Sequence, residues 1–158
     1  MGLRLQNQIF GECFFVTTSF LDHQPLGCKP GVYEILATAV NYQLDETGAK
    51  LLAYVFMPTH LHLILLINGG LLSEFVRDFK KYTSQKALAD FCASRRAWQS
   101  RYDRQALWSE NVLLTKVEYI HNNPVKAGLV QESTAWYWSS AAAYAEKRNG
   151  PLAVWKEW

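Results

Sequence analysis

Residues 51–67 read Leu-Leu-Ala-Tyr-Val-Phe-Met-Pro-Thr-His-Leu-His-Leu-Ile-Leu-Leu-Ile, and the turn-forming Asn68-Gly69-Gly70 follows. Leu51 to Phe56 is a short apolar strand, Met57-Pro58-Thr59 interrupts it, and His60 to Ile67 resumes as a second strand. Upstream, Cys13 to Phe20 is rich in Phe, Val and Thr and predicts another strand. Pro30 suits the first position of a helix running to about Glu46, with Val32, Leu36 and Ala39 on one face and Asp45-Glu46-Thr47-Gly48 ending it. Downstream, Ser73 is the expected cap of a helix reaching about Asp90, whose Phe75, Phe79 and Tyr82 recur on a core face. Trp98 to Leu107 reads as a strand or extended edge. Ser109 caps a helix through Asn122 with the stripe Leu113, Val117 and Ile120, and Asn123 before Pro124 is biased away from helical geometry, so the helix ends there. Strand, helix, strand, strand, helix, strand is the order of a ferredoxin-like α+β domain, its helices packed on one face of an antiparallel sheet. A further helix and a tail follow.

The 158 residues fit one domain, with a core from about residue 10 to 145 and a tail over 146–158. With 49% hydrophobic and 19% charged residues, disorder is excluded as a description of the chain. Leu61 to Ile67 is far too short to span a bilayer, and Met1 to Gln6 lacks both a signal peptide's apolar run and a myristoylation pattern. No membrane association and a cytoplasmic location are therefore expected. Cys13, Cys28 and Cys92 form no C-x-x-C pair and are expected to be buried, reduced thiols. The overall charge of +2 divides unevenly: residues 1–76 carry 3 basic and 6 acidic side chains, residues 77–158 carry 13 and 8. That asymmetry permits a polyanionic partner on the C-terminal half.

Within a strand, His60 and His62 project from the same face, separated by about 6.6 to 6.8 Å of backbone, so both imidazoles can converge on one metal or simply hydrogen-bond on a polar face. Tyr119 and Asn123 stand one helical turn apart, with Lys116 beside them. A phenol is a weak nucleophile at neutral pH, but a nearby cation and a metal-polarised phosphate make phosphoryl transfer feasible; the alternative is a helix-end tyrosine covering apolar surface. Tyr82, also on a helix beside lysines, is the competing nucleophile, although its alignment with Phe75 and Phe79 argues for burial.

Met57-Pro58-Thr59-His60-Leu61-His62-Leu63 and Glu118-Tyr119-Ile120-His121-Asn122-Asn123-Pro124-Val125-Lys126-Ala127-Gly128-Leu129-Val130 resemble the two signatures of the single-tyrosine HUH transposases. The likeness is to the REP-associated tyrosine transposase branch of the IS200-like superfamily. Phe79 to Ser84, Trp98-Gln99 and Trp136 to Ser140 resemble further family segments in the right order, and the likeness extends from about residue 10 to residue 145. The resemblance implies a metal-dependent endonuclease and strand transferase acting on single-stranded DNA folded at hairpins. It makes His60 and His62 holders of a divalent ion, Mg²⁺ or Mn²⁺, with Asn123 as third ligand. It makes Tyr119 the nucleophile that forms a 5′-phosphotyrosine link. The sequence departs from relatives at Gln105 and Trp108, where His and Arg are common, and at Thr59, where Asn or Glu is commoner.

Residues 77–104 hold eight basic side chains against three acidic ones. Arg77, Lys80, Lys81 and Ser84 recur at helical spacing as a solvent-facing stripe on which a phosphate backbone could lie. Trp98 and Tyr102 are interleaved with this charge and could stack unpaired bases. Arg77, Lys80, Lys81, Arg101 and Lys126, the last in a loop after the helix, are the expected DNA contacts. Two other readings stand beside the nuclease: a non-catalytic nucleic-acid-binding module and a hydrolase that activates water at His60 and His62. The tail at 151–158 could pack intramolecularly, support a dimer or cover the DNA site, and both monomer and homodimer are open.

Overall fold

The computed structural model describes residues 12–86, 88–91 and 96–158; residues 1–11, Cys92 and Arg95 lie outside them. The sheet has four antiparallel strands, β1 (Glu12–Ser19), β2 (Lys50–Phe56), β3 (His60–Ile67) and β4 (Asp103–Ala106), in the order β2-β3-β1-β4. With α1 (Val32–Thr47) after β1 and α2 (Leu72–Lys86) after β3, this is the expected ferredoxin-like arrangement, and α1 and α2 cover one face of the sheet. Helix α3 (Glu110–Lys126) lies on the other face.

Alternation along β3 explains why both faces are needed. Leu61, Leu63, Leu65 and Ile67 point into the core beneath α1 and α2, which contribute Val32, Leu36, Ala39, Phe75 and Phe79. Ile64 and Leu66 point the other way, against Leu113, Val117 and Ile120 of α3. Because side chains two apart share a face, His60 and His62 fall on the α3 side. A register shift between Leu51 and Ala53 places Leu52 and Ala53 together in the α3-side cluster, as a β-bulge does.

Several boundaries differ from the sequence reading. Pro30 precedes the first helix rather than opening it, because Gly31 takes the left-handed conformation, φ 76°, and α1 begins at Val32. Ser73 is not a cap. The Asn68 side chain accepts from the Gly70 amide instead and starts a 3₁₀ turn, Gly69–Leu71, that runs into α2, which ends at Lys86. Only Asp103–Ala106 of the 98–107 stretch is a strand; Trp98 makes an isolated bridge to Phe20. Helix α3, capped by Ser109, continues through Pro124 to Lys126, so Lys126 is helical rather than in a loop. A proline in the last turn forfeits only the bond to the Ile120 carbonyl, and the turn closes through Ala127 N–H to Asn123 O and Leu129 N–H to Pro124 O. Tyr82 is 40% exposed, and the buried side chain on that face of α2 is Thr83. Cys13 is buried as expected, but Cys28 is exposed.

The C-terminal segment packs intramolecularly. Phe56 N–H donates to Trp138 O at 2.8 Å, Ser140 N–H to Tyr54 O at 3.0 Å and Trp155 N–H to Leu51 O at 2.8 Å, which occupies the free edge of β2. The opposite edge, β4, is four residues long and exposes Asp103, Arg104 and Gln105, a short charged edge that resists pairing with another chain. Among the described residues no helix is long and apolar enough to cross a membrane.

Candidate metal and nucleophile site

β3 and β1 bring a ring of polar groups under the C-terminal half of α3. His60 Nε2 and His62 Nε2 face each other at 3.1 Å. Their outer nitrogens are engaged by hydroxyls: Thr59 Oγ1 lies 2.9 Å from His60 Nδ1, and Thr17 Oγ1 lies 2.8 Å from His62 Nδ1. Thr17 sits directly opposite His62 in the β1–β3 register. From α3, the Asn123 amide nitrogen comes within 3.4 Å of His62 Nε2. Tyr119 meets His62 edge-on, ring centroids 5.5 Å apart, and is 42% exposed, whereas His62 is only 4% exposed. Phe15 of β1 stacks on His62 at 5.2 Å and touches the Tyr119 ring edge at 5.9 Å. The Lys116 ammonium stands 4.8 Å from the Phe15 centroid and 5.5 Å from that of Tyr119.

These donors fit a divalent ion. Two nitrogens each about 2.1 Å from one ion lie about 3.0 Å apart at a right angle and about 3.4 Å apart at the tetrahedral angle. The observed 3.1 Å falls within that span. Among the described residues no three His, Cys, Asp or Glu side chains cluster to hold a metal, and the polar side chain of α3 that reaches His62 Nε2 is the Asn123 amide. Rotating that amide presents Oδ1 in place of Nδ2. A set of two imidazoles and one amide oxygen suits Mn²⁺ somewhat better than Mg²⁺.

Burial, the charge of His60 and the Lys116 ammonium together push the His62 imidazole down to about 3, and burial followed by His23 lowers His60. Both rings are therefore neutral at neutral pH, with lone pairs available, and His62 stays so far into acid. His121, on another face of α3, bonds Ser140 Oγ at 2.8 Å and is pushed down to about 4 by burial. Its place two residues after Tyr119 thus reflects helix anchoring. The sign of the resulting pH dependence follows directly. Below pH 6.5 the unfolded chain binds protons that buried neutral histidines refuse, so stability is complete above 6.5 and falls as pH drops towards 4 for His121 and 3 for His62. Each histidine contributes a slope approaching about 1.4 kcal/mol per pH unit. Urea midpoints of the chelated protein should fall steeply between pH 6.5 and 4.5, and His121→Gln should remove one proton's worth of that slope. An unchanged slope would place the acid sensitivity elsewhere.

The expected DNA contacts divide between two sides of the sheet. Arg77, Lys80 and Lys81 are on α2, across the sheet from the histidines. Arg77 is exposed and ion-paired with Asp78 at 2.8 Å, and Lys81 is exposed. Lys80 is not part of a solvated stripe: its ammonium donates to the carbonyls of Gln99 at 2.9 Å and Arg101 at 3.4 Å, and stands 5.7 Å from the Tyr102 centroid. Trp98 is buried on Phe20 and donates to Thr83 Oγ1, so its ring is not open to a base. Arg101 does reach the histidine side, lining a cavity of about 300 Å³ with Thr17, Ser19, His23, Gln99 and Asp103. Lys126 is exposed at the end of α3. Because Lys80 ties α2 to the 99–101 segment, Lys80→Met should cost about 1 to 3 kcal/mol, chiefly through the lost charge-assisted bond to the part-buried Gln99 carbonyl. Lys81→Met should change stability by less than about 0.5 kcal/mol. Urea denaturation of both variants distinguishes the staple from the free cation.

Thr17 and Phe15 are neighbours of the candidate site that the sequence reading did not name, and Thr59 was named only as a departure from relatives. Thr59 adjoins His60 and was legible as a neighbour, but Thr17 and Phe15 meet His62 only through strand register.

Comparison with known proteins places the fold and the family. The family model described as "Transposase IS200 like" matches residues 28–123, more than half of the chain. The REP-associated tyrosine transposase of Escherichia coli (strain K12) is 27% identical over 108 residues, covering 68% of this chain and 64% of that protein's length. Among solved structures, a REP-associated tyrosine transposase bound to a REP hairpin superposes with a TM-score of 0.73 at 23% identity, over 97% of this chain and 92% of the other. A putative transposase from Deinococcus radiodurans gives 0.52 at 17% identity, over 75% of this chain and 95% of its own. At those identities the two structures establish a common fold. The family match covers β2, β3 and α3 as far as Asn123, and with it both histidines and Tyr119: the chain belongs to the IS200-like transposase family.

Proposed function

We propose that the protein is a metal-dependent endonuclease and strand transferase that cuts single-stranded DNA beside a hairpin through a 5′-phosphotyrosine intermediate. The observation that carries this reading is the convergence of His60 Nε2, His62 Nε2 and the Asn123 amide beside an exposed tyrosine. The DNA hairpin as substrate class rests on the fold shared with a relative whose structure holds a REP hairpin.

His60, His62 and Asn123 would hold the ion, Mg²⁺ or Mn²⁺. When bound, it polarises the scissile phosphate and offsets charge that builds on the phosphate oxygens. Tyr119 Oη gives up its proton and attacks phosphorus; the tyrosine O–P bond forms, the P–O3′ bond breaks, and the departing oxygen takes a proton to become a 3′-hydroxyl. A 3′-hydroxyl attacking the phosphotyrosine reverses the exchange and joins strands. Lys116, over the Tyr119 ring, adds positive charge where the phosphate arrives. Phe15 fixes the spacing of tyrosine and imidazole by contacting both. Arg101, in the cavity that Thr17 also lines, contacts the strand leading from the cut. Lys126 offers a phosphate contact at the end of α3, and Arg77 and Lys81 serve only DNA that wraps the sheet edge.

Incubation with labelled hairpin DNA and Mn²⁺ should yield a protein–DNA adduct that survives a denaturing gel and disappears with chelator. Hairpins that bind but never become attached, across a panel including a REP hairpin, would overturn catalysis and leave a binding module.

A further inference from the structure

We propose that Thr17 is a positioning residue for His62: its hydroxyl accepts the Nδ1–H of His62 and holds the tautomer that leaves Nε2 free for a divalent ion. This rests on the functional reading above. A neutral imidazole carries one proton, so the partner of one nitrogen decides what the other can do. Here both outer nitrogens face hydroxyls, at 2.8 and 2.9 Å, and both inner nitrogens face each other at 3.1 Å. That inner contact is a hydrogen bond when one Nε2 carries a proton and a pair of ligand atoms when neither does. Ion binding therefore requires Nδ1–H on both rings, and each hydroxyl must act as acceptor. A threonine can do so because its hydroxyl both donates and accepts.

The two threonines are not equivalent. Thr59 is adjacent to His60 in the chain and follows that residue's own backbone. Thr17 is delivered by a different strand, directly opposite His62, so the β1–β3 register sets its position. Phe15, two residues along the same strand, stacks on His62 at an interplanar angle of 22°. One strand thus restrains the ring at its edge through Thr17 and on its face through Phe15. His62 in turn is the histidine that meets both Asn123 and Tyr119, so its orientation governs the whole constellation.

The test compares Thr17→Val and Thr17→Ser by calorimetric titration with Mn²⁺, and by ¹⁵N NMR of the His62 ring in the chelated protein. Valine keeps the shape and loses the acceptor. It should weaken Mn²⁺ binding 10- to 100-fold and shift the His62 ring towards the Nε2–H tautomer, while serine should stay within about threefold of wild type. Valine binding Mn²⁺ as tightly as wild type, with an unchanged tautomer, would overturn the role of Thr17 while the functional reading stands. Wild-type protein that binds no Mn²⁺ in a His60-dependent manner would overturn both.

Discussion

Tyr119→Phe should abolish the covalent DNA adduct while hairpin affinity stays within about threefold of wild type, because the change removes one hydroxyl and leaves every ring contact in place. The expected loss is on the order of 10⁴-fold or more, the scale seen when a covalent nucleophile is removed. Tyr119 is 42% exposed and its oxygen has no hydrogen bond to any of the described residues, so stability should move by less than about 0.5 kcal/mol. The phenyl ring of the variant still meets His62 and Phe15 edge-on, which preserves the packing that a truncation to alanine would disturb. Gel adduct yield, hairpin Kd and urea midpoint measured together decide the matter. A variant that still forms adduct would move the nucleophile elsewhere. One that cleaves without any adduct would favour an activated water at His60 and His62. Tyr82 is the alternative tyrosine by sequence, but it lies on α2, across the sheet from the histidines, lining a groove with Tyr42.

How much of this was legible beforehand follows from the range of the forces involved. β3 was read to its end residues, because alternation and the Asn68-Gly69-Gly70 turn are local signals. The same alternation put both histidines on one face. The stripe Leu113, Val117 and Ile120 was likewise recoverable, and all three are buried. Misreadings arose where a local preference yields to tertiary packing. The bias of a residue before proline argued for ending α3 at Asn123, yet one lost hydrogen bond in a last turn is a small penalty when Pro124 is itself buried. That continuation keeps Asn123 helical, one turn beyond Tyr119 and beside His62. The charge of 77–104 was visible, but not that Lys80 would turn inward to carbonyls 19 and 21 residues away. Nor could Trp98 be told from a base-stacking platform without knowing that Phe20 and Phe79 enclose it. Thr17 and Phe15 are the sharpest case, since their meaning depends on which residue of another strand they oppose.

His62→Leu should separate function from stability with opposite signs. Mn²⁺-dependent cleavage should be lost, since one of two imidazole donors disappears and an alkyl group fills its place. Leucine nearly conserves the volume against Phe15 and the α3-side core, so at pH 7 the loss should stay within about 1 to 3 kcal/mol, set by the Thr17 hydroxyl left without its partner. Acid should then reveal a gain. The wild-type ring is held neutral down to about 3 by burial, by His60 and by Lys116, so the unfolded chain takes up a proton below pH 6.5 that the native chain does not. Leucine has no such proton, and the variant's stability should decline less steeply between pH 6.5 and 4.5, by up to about 1.4 kcal/mol per pH unit. Urea titrations at several pH values in chelator, beside the adduct assay in Mn²⁺, test both halves. If the variant instead unfolds at pH 7, His62 is a structural core residue. Leucine tolerated at pH 7 with cleavage lost would assign the buried imidazole to ion binding rather than to the sheet it sits in.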